Sequence, residues 1–115
     1  MTEQSQFEAL AKWEGCTEIW WDAVNSNLKM LNPHKHFVIR DYNSLDTLHD
    51  CEKRLDGFGK GVNHERYEYA VNLLRLVHPE MCMSTCWLVW CAANATAAQR
   101  REALLRTLGL WKEET

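Results

Sequence analysis

With 115 residues, 46% hydrophobic and 25% charged, the chain has the make-up of one globular domain, residues 1–115, able to bury a core without staples. A net charge of −3 and a pI near 5.9 argue against broad, sequence-independent nucleic-acid binding, which leaves a basic footprint. No apolar run approaches the ~20 residues that span a bilayer, and the polar start Met-Thr-Glu-Gln-Ser-Gln shows no secretory signal; a cytoplasmic protein is expected.

Ser5 with Glu8 forms a capping box ahead of Phe7, Leu10 and Ala11, so a short helix is expected from about Gln6 to Trp13, stopped by Gly15. Ile19, Trp20 and Trp21 favour a strand, Asn25-Ser26-Asn27 a turn, and Leu28 and Met30 alternate with polar neighbours. A hairpin over Thr17–Leu31 follows. Asn32-Pro33 punctuates it, and His36–Ile39 is the next strand. Asn43 or Ser44 can cap a second helix whose buried face is Leu45, Leu48, Cys51 or Glu52, and Leu55. Gly57 is its stop and Phe58 an apolar contact beyond it.

Phe58–Val62 reads as a connector, since two glycines without the spacing of a P-loop are no phosphate site. Asn63 can cap a third helix to about Val77, with Tyr67, Ala70, Val71, Leu74 and Val77 facing inward, Leu73 and Leu76 widening the stripe, and Pro79 ending it. Ser84–Ala92 is apolar on both alternating faces and is expected to be a covered strand. The last helix carries its own boundaries. Thr96 and Gln99 make a capping box, Gly109 suits a left-handed stop, and Leu104, Leu105, Leu108 and Trp111 form the stripe between. The fold class expected is α+β, about four helices packed on a small two-sided sheet.

Five cysteines in a chain without an export signal are expected to stay reduced. His78, Cys82 and Cys86, with His34, His36, His49 or Cys51, are the material for a zinc centre, yet there is no Cys-x2-Cys pair and Pro79 interrupts the first spacing. Cys82 and Cys86 lie among apolar residues, which raises a thiol's pKa and disfavours a nucleophile. Asp46 with Asp50, and Glu65 with Glu68, are read as solvated helix faces. Six tryptophans point first to core and second to interface.

Arg100 and Arg101 sit at the start of the last helix, where the dipole disfavours cations by ~0.3–1 kcal/mol. Two readings account for them. Arg100 can reach Glu52 or Asp46 and fasten the second helix to the last; alternatively Arg100, Arg101 and an exposed Trp111 form a contact surface.

The segment Asp41-Tyr42-Asn43-Ser44-Leu45-Asp46-Thr47-Leu48-His49-Asp50-Cys51-Glu52-Lys53-Arg54-Leu55 resembles a motif in small phage and prophage accessory proteins. That motif runs Tyr, then Asp-Leu-Asn-Ala-Met-His-Glu-Ala-Glu-Lys, then Leu. Ala95–Trp111 is similar to their closing helix. Asp46 replaces an Asn of the pattern, and Asp50 and Cys51 replace Glu and Ala. The resemblance implies a compact helix-and-strand domain with no assigned enzymatic activity, and so origin and fold more than mechanism; no cofactor is expected.

The function expected is a non-enzymatic phage protein that binds a host protein, for instance as an inhibitor of a host defence system (anti-CRISPR-like). Arg100, Arg101, Trp111, His49, Glu52 and Lys53 are its candidate contacts. The alternative is a nucleic-acid-binding accessory factor using Lys53, Arg54, Arg100, Arg101 and Arg106, and the third a small zinc module. The pattern of residues leaves the oligomeric state open.

Overall fold

The computed structural model describes residues 1–55, 65–77 and 94–113. Gly57, the Phe58–Val62 connector, the Asn63 cap, Pro79, the Ser84–Ala92 strand and Cys82, Cys86 and Cys91 lie outside the described residues. Helix α1 spans Glu3–Trp13, β1 Thr17–Asp22, β2 Asn27–Leu31, β3 Phe37–Arg40, α2 Leu45–Lys53, α3 Glu65–Val77 and α4 Ala97–Thr107. The class is α+β, and among the described residues no helix is long and apolar enough to cross a membrane.

Thr2, not Ser5, caps α1: its Oγ1 accepts the Ser5 N–H at 3.1 Å, and the helix begins three residues earlier than the Ser5–Glu8 box implies. Two cap sequences overlap here. The earlier one wins because it adds most of a helical turn while keeping Phe7, Leu10 and Ala11 on the buried face. At the other end Gly15 takes φ +85°, and Cys16 N–H reaches back to the Ala11 carbonyl at 3.0 Å, closing the helix with a left-handed residue.

The three strands form an antiparallel sheet in the order β1-β2-β3. Asp22 builds the first turn, its Oδ1 accepting from Val24 N–H and Asn25 N–H, while Asn32 Oδ1 accepts from His34 N–H and His36 N–H in the second. Register puts Trp21, Leu28 and Arg40 side by side on one face, and Trp20, Lys29 and Ile39 on the other. Helix α1 covers the first of these, with Phe7 edge-on to Trp21 at 5.4 Å. The outer face carries Trp20, Ile39 and Phe37 in the open, so among the described residues helices cover one face of the sheet, where two were expected. Three short strands leave an alternation that a single helical layer satisfies.

Helix α4 is the hub of the helical layer, touching α1, α2 and α3. Its capping box forms as expected: Thr96 Oγ1 accepts from Gln99 N–H and Gln99 Oε1 from Thr96 N–H. Gly109 follows at φ +72° with open space around its missing Cβ. Gly109→Ala is therefore expected to lower stability by about 1–2 kcal/mol through φ alone. A thermal melt unchanged from wild type would remove that reading.

Neither Asn43 nor Ser44 caps α2 with its side chain. Ser44 stands at the N-cap without that bond, and Asn43 Oδ1 accepts from Arg101 instead. Leu45, expected inside, is half exposed. In α3 the buried set is Tyr69, Leu73 and Leu74: Leu74 of the expected stripe and Leu73 beside it are inside, but Tyr69 is buried where Tyr67, Ala70 and Val71 were expected, and those three are half-buried. Apolar residues nearly encircle this helix, so the position of α4 chooses the face. Asn72 Nδ2, donating to Thr107 Oγ1 at 3.1 Å, marks the seam.

Candidate docking surface

The sites expected from sequence divide sharply between inside and outside. Arg100 is only 3% exposed and Arg101 4%, so neither belongs to a surface. Arg100 donates to Glu52 Oε1 at 3.2 Å and to the Ala95 carbonyl at 3.3 Å, which is the α2-to-α4 fastening expected of it. Arg101 runs beneath α1, donating to Gln6 Oε1, the Tyr42 carbonyl and Asn43 Oδ1, with its guanidinium 5.3 Å from the centre of the Phe7 ring. Burial lowers its pKa from the ordinary arginine value. Charge at the N-terminal end of α4 thus serves the interior. The contact surface of Arg100, Arg101 and Trp111 does not form.

The cation array of the nucleic-acid alternative is dispersed in the same way. Arg100 and Arg101 are inside, Arg54 lies 3.4 Å from Glu14, and Arg106 is engaged by Glu102 and Glu113 at 2.9 Å each. Trp111 is half-buried under the Arg106 guanidinium, 5.1 Å from its ring, and donates its indole N–H to Glu113. His49, Glu52 and Lys53 do come together, with Asp46, Asp50, Arg66 and Tyr69, around an open cleft of about 670 Å³. Its charges are mixed, and Glu52 is already held by Arg100 and lies 3.5 Å from His49 Nδ1.

Glu14 is the residue the sequence did not single out. It follows the last turn of α1, with its side chain 2% exposed. There it accepts from Tyr42 Oη and Arg40 Nη2, both at 2.6 Å, and from Cys51 Sγ at 3.6 Å. Burial, then the charge of Glu14, raises the pKa of both Cys51 and Cys16, which disfavours the thiolate form at either position. His78, Cys82 and Cys86 lie outside the described residues, and among the described residues no three His, Cys, Asp or Glu side chains gather to hold a metal.

What stays open is the outer face of the sheet. Trp20 is 59% exposed, Phe37 64% and Ile39 54%, with Leu31 between them. Lys29 lies across the Trp20 ring at 5.1 Å and is anchored to Asp22 at 3.2 Å. The neighbouring turn carries His34, Lys35 and His36, all exposed. Exposed aromatics clustered on rigid strands are the composition of an interaction hot spot rather than of ordinary surface. Protein-family models, curated proteins and solved structures give no match to this chain. The signal was present in the adjacent Trp20-Trp21 pair, because neighbouring strand residues face opposite ways and one of the two must point outward.

Asp22, which holds both the turn and Lys29, has its pKa lowered to about 2 from 3.8, chiefly by the Asn25 side chain and backbone. A depressed carboxylate contributes stability that is present above its unfolded value and lost as pH falls through the folded one. Thermal melts of wild type against Asp22→Asn should therefore show an acid-dependent difference that fades between 3.8 and about 2. A constant offset across that window would contradict it.

Proposed function

We propose that this chain is a non-enzymatic binding protein of the phage accessory type, which acts by docking the outer face of its sheet onto a host protein. Inhibition of a host defence machine, as an anti-CRISPR does, is the form of that activity favoured by its resemblance and size. The observation that carries the reading is the exposed Trp20–Ile39–Phe37 surface. Lys35, with His34 and His36 beside it in the neighbouring turn, edges it on the basic side. The complementary partner presents an apolar patch with an acidic rim. Association in this reading is led by aromatic burial, with charge setting orientation.

Single-stranded nucleic acid is the second reading, because Trp20 and Phe37 can also stack bases. It is the weaker one, since the central cation Lys29 is bound to Asp22. The test begins with affinity capture from host lysate by wild type and by Trp20→Ala/Phe37→Ala, followed by direct titration of the purified captured protein. The double substitution should raise Kd at least about thirtyfold, since a central aromatic is worth about 2 kcal/mol or more. Equal binding by both chains would move the interface elsewhere. Oligonucleotide binding that weakens steeply with salt would favour the second reading.

A further inference from the structure

We infer that β3 is a pairing edge and that a second copy of this chain occupies it, joining two three-stranded sheets about a twofold axis at Val38. The inference stands independently of any host partner. Among the described residues β3 ends the sheet order, and one of its sides has no neighbouring strand. The Asn32 N–H to His36 carbonyl bond, at 2.9 Å, sets the phase of the β2–β3 ladder. Counting on from it, Val38 and Arg40 turn their backbone groups toward Met30 and Leu28. Phe37 and Ile39 turn theirs outward, and among the described residues nothing pairs with them.

The two edges of the sheet are built differently. On β1 the register breaks between Thr17 and Trp20, with Glu18 at φ +51° and exposed, so a bulge and a charge blunt that side. The Phe-Val-Ile run of β3 has neither a bulge, nor a proline, nor a charged side chain. Among the described residues it is the edge without a bulge.

Its occupant follows from self-complementarity. With Val38 opposite the partner's Val38, Phe37 falls opposite the partner's Ile39, and Ile39 opposite the partner's Phe37. These are the residues whose N–H and C=O groups point outward, so each pair can exchange both of its bonds. The same pairs set an aromatic ring beside a β-branched side chain on the outer face, a favourable cross-strand combination. Both side chains are more than half exposed in the single chain. One patch matched to itself closes a twofold dimer and leaves no further edge of its kind. The apolar row of Trp20 and Ile39 then continues into the partner's Phe37, doubling the outer surface.

Sedimentation of the purified full chain over a concentration series tests this without any partner protein. The expected result is a reversible monomer–dimer equilibrium, with Phe37→Lys/Ile39→Lys weakening association at least about tenfold, since edge lysines oppose strand pairing. Val38→Cys gives a second measurement that does not depend on those substitutions folding. Residues facing each other in a non-hydrogen-bonded pair stand about 4.5 Å apart at Cα, within disulfide reach. Under mild oxidation Val38→Cys should form a covalent dimer, and Val24→Cys, on the exposed hairpin tip, should not. A chain monomeric at every concentration overturns the inference. So does a dimer indifferent to the lysines, or equal cross-linking of the two cysteine variants.

Discussion

Glu14→Ala is expected to lower the urea midpoint of unfolding by the equivalent of about 3–5 kcal/mol, the usual loss when one member of a buried ion pair is removed. The side chain lies between Arg40, Tyr42, Cys51 and Arg54, and it joins the end of α1 to β3 and to α2. Without it the Tyr42 hydroxyl, on a residue with no exposed surface, keeps no acceptor, and Arg40 loses a partner at 2.6 Å. Because Arg40 remains about a quarter exposed, water relieves part of the strain, and the lower end of the range is the better expectation. Tyr42→Phe should cost less, about 1–2 kcal/mol, since Glu14 keeps its arginine donors. A Glu14→Ala chain within about 1 kcal/mol of wild type would show that the cluster is not a structural centre.

Arg101→Ala is expected to cost about 3 kcal/mol, a large part of the roughly 5–15 kcal/mol that holds a domain together. Three acceptors (Gln6 Oε1, the Tyr42 carbonyl and Asn43 Oδ1) lose their donor together, and the Phe7 ring loses the guanidinium against its face. Arg101→Lys should recover little, because one ammonium cannot reproduce the planar fork that reaches α1 and the start of α2 at once. Arg100→Ala should be milder, since one of its acceptors, Glu52, is 23% exposed and water can replace the donor lost there. Chemical denaturation measures all three. A folded Arg101→Ala chain of unchanged stability that no longer binds its partner would restore the contact role expected from sequence.

The two arginines show how far reading residues in order can go. Their position against the dipole of α4 marks them as unusual, and a carboxylate of α2 was one of two readings for Arg100; that it is Glu52 rather than Asp46, and a fastening rather than a contact surface, came from the packing. That Arg101 turns toward α1 was not legible, because its hydrogen-bond acceptors are a glutamine, a carbonyl and an asparagine, and the one acid it approaches on α1, Glu3, is 98 positions away at 4.0 Å. Glu14 was hidden for a related reason. Beside Gly15 it looks like a solvated helix end, where an acidic side chain even opposes the dipole. Only the approach of Arg40 and Tyr42, 26 and 28 residues further on, makes it a centre. Trp20 was half legible: alternation requires one of two adjacent tryptophans to face outward, but which one depends on where α1 lies.

Residues in chain order are enough to locate the described helices and strands to within a few positions and to mark how α4 starts and stops. Capping hydroxyls, glycines at positive φ and period-two alternation act over a few neighbouring residues and need nothing else. The tertiary structure alone decided which side of α3 is buried, which face of the sheet is left open, and that Arg100 and Arg101 belong inside. Those outcomes depend on contacts between residues tens of positions apart, such as Arg101 with Asn43 across 58 residues, and such contacts exist only once the layers have packed.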